Sequence, residues 1–396
     1  MTISRASVPR RADSSVIDDL VAATPETRDR TVDFLRAVSI VVVVLWHWVF
    51  SITQWNSSGA LTMPNPIDTV PGLWLVTWVL QIMPLFFFVG GFANSTAWSA
   101  TIRRGDDAGV FLRSRMARLL RPIVVMAGAW VVADTLLSFL VPSYSSVLVW
   151  GRVVFVPLWF LGVYAGVVLV VPITRRWHDA APRLALALMA IAIAAVDLVR
   201  FAGGIELIGF VNVVLVFGFV HQLGYFYADG SLTRCSRRTQ WTLAGGGLVA
   251  LVLLTGVGPY SDSMVAVRGS AVSNMFPPTA CIAALGVFQA GLALLARPAL
   301  NRWLARKGPW KVVVAANSVA MTVFTWHMTA YVIALGIVEG LGGRLLSEPT
   351  AHWWTERPLW LVAPGMVLAG LVVIFARVET RAALRSSGPA RSQVTQ

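Results

Sequence analysis

Imidazole and guanidinium groups set inside apolar runs are the residues of this sequence most able to do chemistry. His47 lies in "FLRAVSIVVVVLWHWVF", eleven positions after Arg36. Eleven helical steps of roughly 100° return to within about 20° of the starting azimuth, so a helix places both side chains on one face, separated by a rise of about 16 Å. A cation at one boundary of a bilayer and a proton acceptor past its midplane suit an extended donor such as acyl-coenzyme A. Its phosphates would pair with arginine while its thioester reaches the imidazole. Against this stands the plain alternative of a buried histidine satisfied by a neighbouring helix.

A second constellation is "FLRSRMARLLRP", which carries Arg113, Arg115, Arg118 and Arg121. If it is helical, the three-residue steps from Arg115 to Arg118 to Arg121 put these guanidinium groups along one side, where they make an anion site. The competing reading is ordinary basic charge meeting anionic headgroups. His327, in "MTVFTWHMTAY", falls about fifteen residues into its own apolar run, at a depth similar to that of His47. Asp134 and Asp197 share that level, and Glu206 belongs near the outer boundary. Asp134 has no local partner and is the preferred carboxylate for orienting His47, whereas Asp197 competes for Arg200, three positions on. His221 approaches the inner end of its run and reads as structural. His178 and His352 read as loop residues without chemistry, and Asn274 in "SNMFPPT" as a helix start more than an acceptor entrance.

The elements that must position these groups are apolar helices. The chain of 396 residues is 57% hydrophobic and only 13% charged, with a mean hydropathy of +0.70, well below the roughly 25% charge of ordinary soluble domains. Ten stretches are long enough to cross a hydrocarbon core of roughly 30 Å, near residues 34–53, 73–98, 121–141, 153–174, 183–199, 205–227, 241–259, 276–296, 312–336 and 358–377. Of the 32 Lys and Arg, 27 fall in the amino-terminal segment, every second connection and the carboxy-terminal tail. The positive-inside rule therefore places both termini in the cytoplasm. The net charge of +13 reflects this sorting and not a nucleic-acid surface.

These features predict an all-α, polytopic membrane protein of about ten transmembrane helices in a bacterial inner membrane. Residues 1–30 are expected to form a polar, disordered cytoplasmic tail without a cleavable signal, 31–378 one helical membrane domain, and 379–396 a second disordered tail. Small-residue runs such as "AGVVLVV" and "LAGGGLVALVLL" are assigned to helix packing, and the tryptophans of "WLVTW", "RPLWL" and "AHWW" to interfacial belts. Cys235 and Cys281 supply neither a disulfide framework nor metal-ligand spacing, and no metal is expected.

Taken together the motifs resemble the acyltransferase family 3 integral-membrane proteins, over most of the chain. "RTVDFLRAVSIVVVVLWHW" looks like that family's first helix, with Asp33, Arg36 and His47 matching. "MPLFFFVGGF" resembles its second-helix signature, "RMARLLRP" its RxxR element and "PLWFLGVY" its Trp-Phe segment. The resemblance implies acyl transfer, often of acetyl, from cytoplasmic acyl-coenzyme A to a hydroxyl of a glycan, lipid or small-molecule acceptor. It further implies His47 as catalytic residue and Arg36, Arg115 and Arg118 as donor-binding residues, with Arg121 a further candidate. Gly90 departs from the pattern, since a serine often stands there, and the departure removes a hydroxyl. His327 and Asp134 complete the candidate catalytic set. The rival reading from another class is a proton-coupled transporter or flippase, because buried His, Asp and Arg also mark transport pathways.

Overall fold

The computed structural model describes residues 16–142, 144–346 and 348–386. Among the described residues, ten helical spans have the length and apolarity to cross a membrane. In chain order they are Arg30–Val49, Trp74–Arg103, Ala108–Leu140, Arg152–Leu169, Pro182–Gly203, Glu206–Ala228, Arg237–Val257, Ala280–Leu304, Ala320–Gly340 and Ala351–Ala376. Backbone groups in hydrocarbon must be satisfied within the chain, and helices do this locally. The one strand pair among the described residues is a short antiparallel hairpin, Gln54–Trp55 with Leu61–Thr62, in the connection after the first span. The fold is therefore the all-α polytopic architecture expected.

Four boundaries differ from expectation. The third span begins at Ala108 and not near 121, because the Asp107 carboxylate accepts from the Val110 amide and starts the helix there. Its arginines interrupt the apolar run without interrupting the helix, which at 33 residues extends beyond the hydrocarbon. The expected ninth stretch, 312–336, divides into a separate helix Lys307–Ser318 and the span Ala320–Gly340. Part of the segment expected to be a featureless tail is helical, over Val16–Ala22, and it is tied down by Lys311 on Asp18 at 2.7 Å. Val21 joins Trp310 and Val313 in a small apolar cluster there. At the other end, the helix Leu359–Ser386 runs through the start of the expected second tail. Within the two expected tails, residues 1–15 and 387–396 lie outside the described residues.

The second, sixth, eighth and ninth spans are the most buried, and the third, fifth, seventh and tenth expose most of their sides. Lipid supplies no hydrophobic drive for helix association, so close packing through small residues must do it. The tightest crossing joins the second and sixth spans. A β-carbon on Gly91 would sit 1.9 Å from the His221 carbonyl oxygen, and one on Gly224 would sit 2.2 Å from the Phe88 carbonyl oxygen. The seventh and eighth spans meet at Gly247 and Gly291, where β-carbons would fall 2.5 Å from the Phe288 nitrogen and 2.4 Å from the Ala244 nitrogen. Gly245, Gly246 and Gly166 face open space, so packing explains only part of those small-residue runs.

The second span is broken between the helices Trp74–Leu80 and Met83–Arg103. Gln81 covers the break: its side chain accepts from the Met83 amide and donates to the Met264 carbonyl, and its own carbonyl accepts from Gln289 Nε2 at 2.8 Å. Asp197 does not pair with Arg200 as considered above. It accepts from Asn212 Nδ2, the Tyr260 hydroxyl and the Ala280 amide, and so caps the eighth span from the fifth, while Arg200 pairs with Glu206 at 2.9 Å. Trp78, Trp353 and Trp360 are buried and cannot serve a headgroup belt. Asn274 holds its own loop, donating to the Ser261 and Ser263 carbonyls and accepting from Thr279.

The Gly91 crossing yields a direct expectation. Gly91→Ala places a methyl group against backbone that cannot rotate away, and should destabilise the protein by about 2 kcal/mol or more. Gly166→Ala should be close to neutral. Thermal unfolding in detergent, followed by tryptophan fluorescence, measures both.

Candidate functional site

The site is built from the first, third, fourth and ninth spans. His47 stands in the last turn of the first span and is partly exposed, while His327 is completely buried in the ninth. Their rings meet edge to edge, with His327 Nε2 3.1 Å from His47 Nδ1. The contact is framed by Trp48, whose indole donates to the His327 carbonyl at 3.1 Å, and by Trp130, whose indole donates to Thr329 at 3.0 Å.

Donor and acceptor accounting fixes the protons. His327 Nδ1 lies 2.7 Å from the Phe324 carbonyl oxygen, which can only accept, so Nδ1 carries a proton. In the neutral ring His327 Nε2 is then a lone pair, and the hydrogen bond to it must come from His47 Nδ1–H. In the neutral ring His47 Nε2 is left unprotonated. A backbone carbonyl and a second imidazole thus set the tautomer and orientation of His47, a task that a carboxylate performs elsewhere.

The cationic end is equally well ordered. Asp33, buried near the start of the first span, accepts from Arg28 at 2.5 and 2.9 Å and from Arg36 at 3.4 Å. Beyond the membrane-spanning helix, Asp33 pushes the Arg28 guanidinium up from its already high range, so it stays charged. Arg36 lies within electrostatic reach of Arg118 and the Tyr164 phenol, and Arg115 within reach of Arg118, Arg36 and the same phenol. Arg115 donates through Nη2 to the Ala93 carbonyl, while its Nε is buried without a partner among the described residues. Two guanidinium groups thus share one carboxylate, with Arg115 and Arg118 nearby, an arrangement that favours an incoming anion. Arg118 and Arg121 are exposed on the same helix, and Arg121 makes no hydrogen bond or ion pair among the described residues.

A column of rings joins the two ends. Tyr164 lies 6.1 Å from Phe160, Phe160 5.6 Å from Phe324, and Phe324 5.9 Å from His327, measured between ring centres. Phe86 leans edge-on against Phe160 and Tyr164. The four-residue step from Phe160 to Tyr164 aligns both on one face of the fourth span, so the segment "PLWFLGVY" lies between the arginines and the histidines. The hydroxyl missing at Gly90 has a counterpart here. The Tyr164 ring rests on the bare face of that glycine, with its phenol oxygen 3.0 Å from where a β-carbon would be.

Asp134 is the expectation the geometry corrects. One of its oxygens accepts from Tyr144 and the Val147 amide and the other from Ser146, all at 2.7 Å, and neither histidine bonds to it. It closes the loop after the third span, and His327 holds the place proposed for it. His221 is buried and faces Asn94. His178 is no loop residue: it is buried in the short helix Val171–Ala180 between Asp229 and Gln222, where burial pushes its imidazole below the usual range. Tyr164 closes the motif "PLWFLGVY" and Asn94 lies two residues beyond "MPLFFFVGGF", and neither carries a signal in the spacing of its neighbours. Their polarity within apolar spans was the available signal. No group of three or more His, Cys, Asp or Glu side chains suited to a metal ion occurs among the described residues.

Among curated proteins and among solved structures, nothing matches the chain. The family model described as an acyltransferase domain matches residues 29–377, from the N-cap of the first span to the end of the tenth. Paired imidazoles, a cationic mouth and a match over nearly the whole length point the same way: this chain belongs to acyltransferase family 3, and it is a membrane acyltransferase.

Proposed function

We propose that the protein moves a short acyl group, acetyl foremost, from acyl-coenzyme A to a hydroxyl of an envelope carbohydrate, glycolipid or related metabolite. The observation that carries this reading is the 3.1 Å contact between His327 Nε2 and His47 Nδ1, which with the Phe324 carbonyl on His327 Nδ1 leaves His47 Nε2 a lone pair in the neutral rings. Arg36, Arg115 and Arg118, with Arg121 at the rim, hold the donor phosphates, and the acyl arm runs along the ring column toward His47.

His47 Nε2 takes the proton of the acceptor hydroxyl as its oxygen attacks the thioester carbonyl. The carbon–sulfur bond then breaks, the new ester forms, and the thiolate leaves as a thiol by recovering the proton from His47. The imidazolium formed in between shares its charge with His327 and, through it, with the Phe324 carbonyl. A transient acyl group on His47 Nε2 uses the same lone pair and gives the same products.

The placement follows from charge. With the arginine-rich face in the cytoplasm of a bacterial inner membrane, ten spans return both termini to that side. His47 lies in the opposite half, so the acceptor enters from the periplasmic side.

Three outcomes are expected. In a transfer assay with labelled acetyl-coenzyme A, His47→Ala should lose turnover by a factor of about 10² to 10⁴, and unchanged turnover would remove His47 from the mechanism. Asp134→Asn should keep turnover within about twofold, because its bonds are confined to the loop after the third span, while the cost appears as reduced thermal stability. For topology, the two cysteines serve as native probes: Cys235 is partly exposed between the sixth and seventh spans and Cys281 is buried in the eighth. A membrane-impermeant maleimide should label Cys235 in inside-out vesicles and leave it unlabelled in right-side-out vesicles; the reverse pattern contradicts the orientation.

A further inference from the structure

Tyr164 takes no part in the proton chemistry, yet its hydroxyl is held in a defined orientation. The phenol oxygen lies 3.3 Å from Asn94 Nδ2, and the same amide nitrogen lies 3.0 Å from His221 Nε2. A primary amide nitrogen has two hydrogens and no lone pair to offer, so one hydrogen goes to the imidazole and the other to the phenol. Asn94 and His221 are 1% and 2% exposed, which leaves no solvent to compete for either bond. The phenol oxygen is therefore an acceptor toward Asn94, and its own proton must point elsewhere. Among the described residues Tyr164 donates no hydrogen bond, and its side chain is partly exposed.

The free proton sits at a particular place. Tyr164 is within electrostatic reach of both Arg36 and Arg115, and it is the first ring of the column that leads through Phe160 and Phe324 to His327. Charged groups of a ligand at this end are matched by guanidinium donors. A single neutral donor at the start of an apolar wall matches a neutral acceptor, where an extended ligand leaves its charged head and enters the column.

We infer that Tyr164 donates its hydroxyl proton to the amide carbonyl of the acyl donor's arm that lies nearest the phosphates, and that Asn94 and His221 are positioning residues that aim it. The inference rests on the reading of the donor as an acyl-coenzyme A thioester. It explains why a buried asparagine and a buried histidine, both costly in a membrane, stand beside the arginines without contacting His47.

The test uses the full chain in detergent, with coenzyme A as binding probe and acetyl-coenzyme A as substrate. Tyr164→Phe keeps the ring on Gly90 and removes only the donor. It should weaken coenzyme A binding and raise the donor KM by about five- to tenfold, with kcat nearly unchanged. With S-acetyl-N-acetylcysteamine, which lacks the phosphate-proximal amide, wild type and Tyr164→Phe should be equal. Asn94→Asp presents a carboxylate that captures the phenol proton; it should reproduce the loss and add nothing further in the Tyr164→Phe background. Unchanged coenzyme A binding in Tyr164→Phe, an equal deficit with the truncated donor, or multiplied losses in the double variant would each overturn the inference. Wild-type protein that neither binds coenzyme A nor uses acetyl-coenzyme A would instead overturn the donor assignment beneath it.

Discussion

A lone imidazole inside a membrane has no water to set its tautomer, so a partner must do so, and the contact between His327 Nε2 and His47 Nδ1 is the interaction on which the rest of this site depends. The partner is itself set by the Phe324 carbonyl one turn back on the same helix. The relay is neutral throughout. A carboxylate in the same place would stabilise an imidazolium more strongly, but it would have to be desolvated in the resting protein, at a cost of several kcal/mol. Two neutral rings and a backbone oxygen avoid that cost, and in the proposed reaction the charge exists only while a proton is in transit.

The surrounding fold can be read as the means of holding this contact at a fixed depth beneath a cationic mouth. The first and ninth spans are joined at the level of the histidines by Trp48, and the third is joined to the ninth by Trp130. At the other end of the first span, Asp33 restrains Arg28 and Arg36, so two mutually repelling cations are held on one carboxylate. The second span reaches the centre of the bundle because Gly91 and Gly224 let two backbones nearly touch, and this closeness brings Asn94 to His221 and Tyr164. Packing and polar chemistry are therefore coupled: the residues that permit the close crossing also align the hydrogen-bond network beside the arginines.

Much of this was legible in the sequence because membrane folds leave strong one-dimensional signals. Apolar length predicted ten spans, and the eleven-residue step from Arg36 to His47 needed only helical geometry. His327 was legible as a depth match. Boundaries failed where charge interrupts hydropathy without ending a helix, as at Arg113 to Arg121, and where a polar stretch folds against the bundle, as at Val16–Ala22. Asp134 and Asp197 could not be assigned from depth, because a carboxylate at a helix level serves a nearby loop or helix end as readily as a distant ring, and only three-dimensional contacts decide which. The Asn94, His221 and Tyr164 network joins three spans and has no signature in local spacing.

The central claim concerns the position of a proton, and histidine nitrogen chemical shifts report it directly. Selective 15N-histidine labelling, with His47→Gln and His327→Gln used for assignment, should give for His47 the tautomer with Nδ1 protonated and Nε2 bare, and a coupling across the His47 to His327 hydrogen bond. Finding His47 with Nε2 protonated and Nδ1 bare would contradict the account, because the ring would then present a donor where the chemistry requires a base.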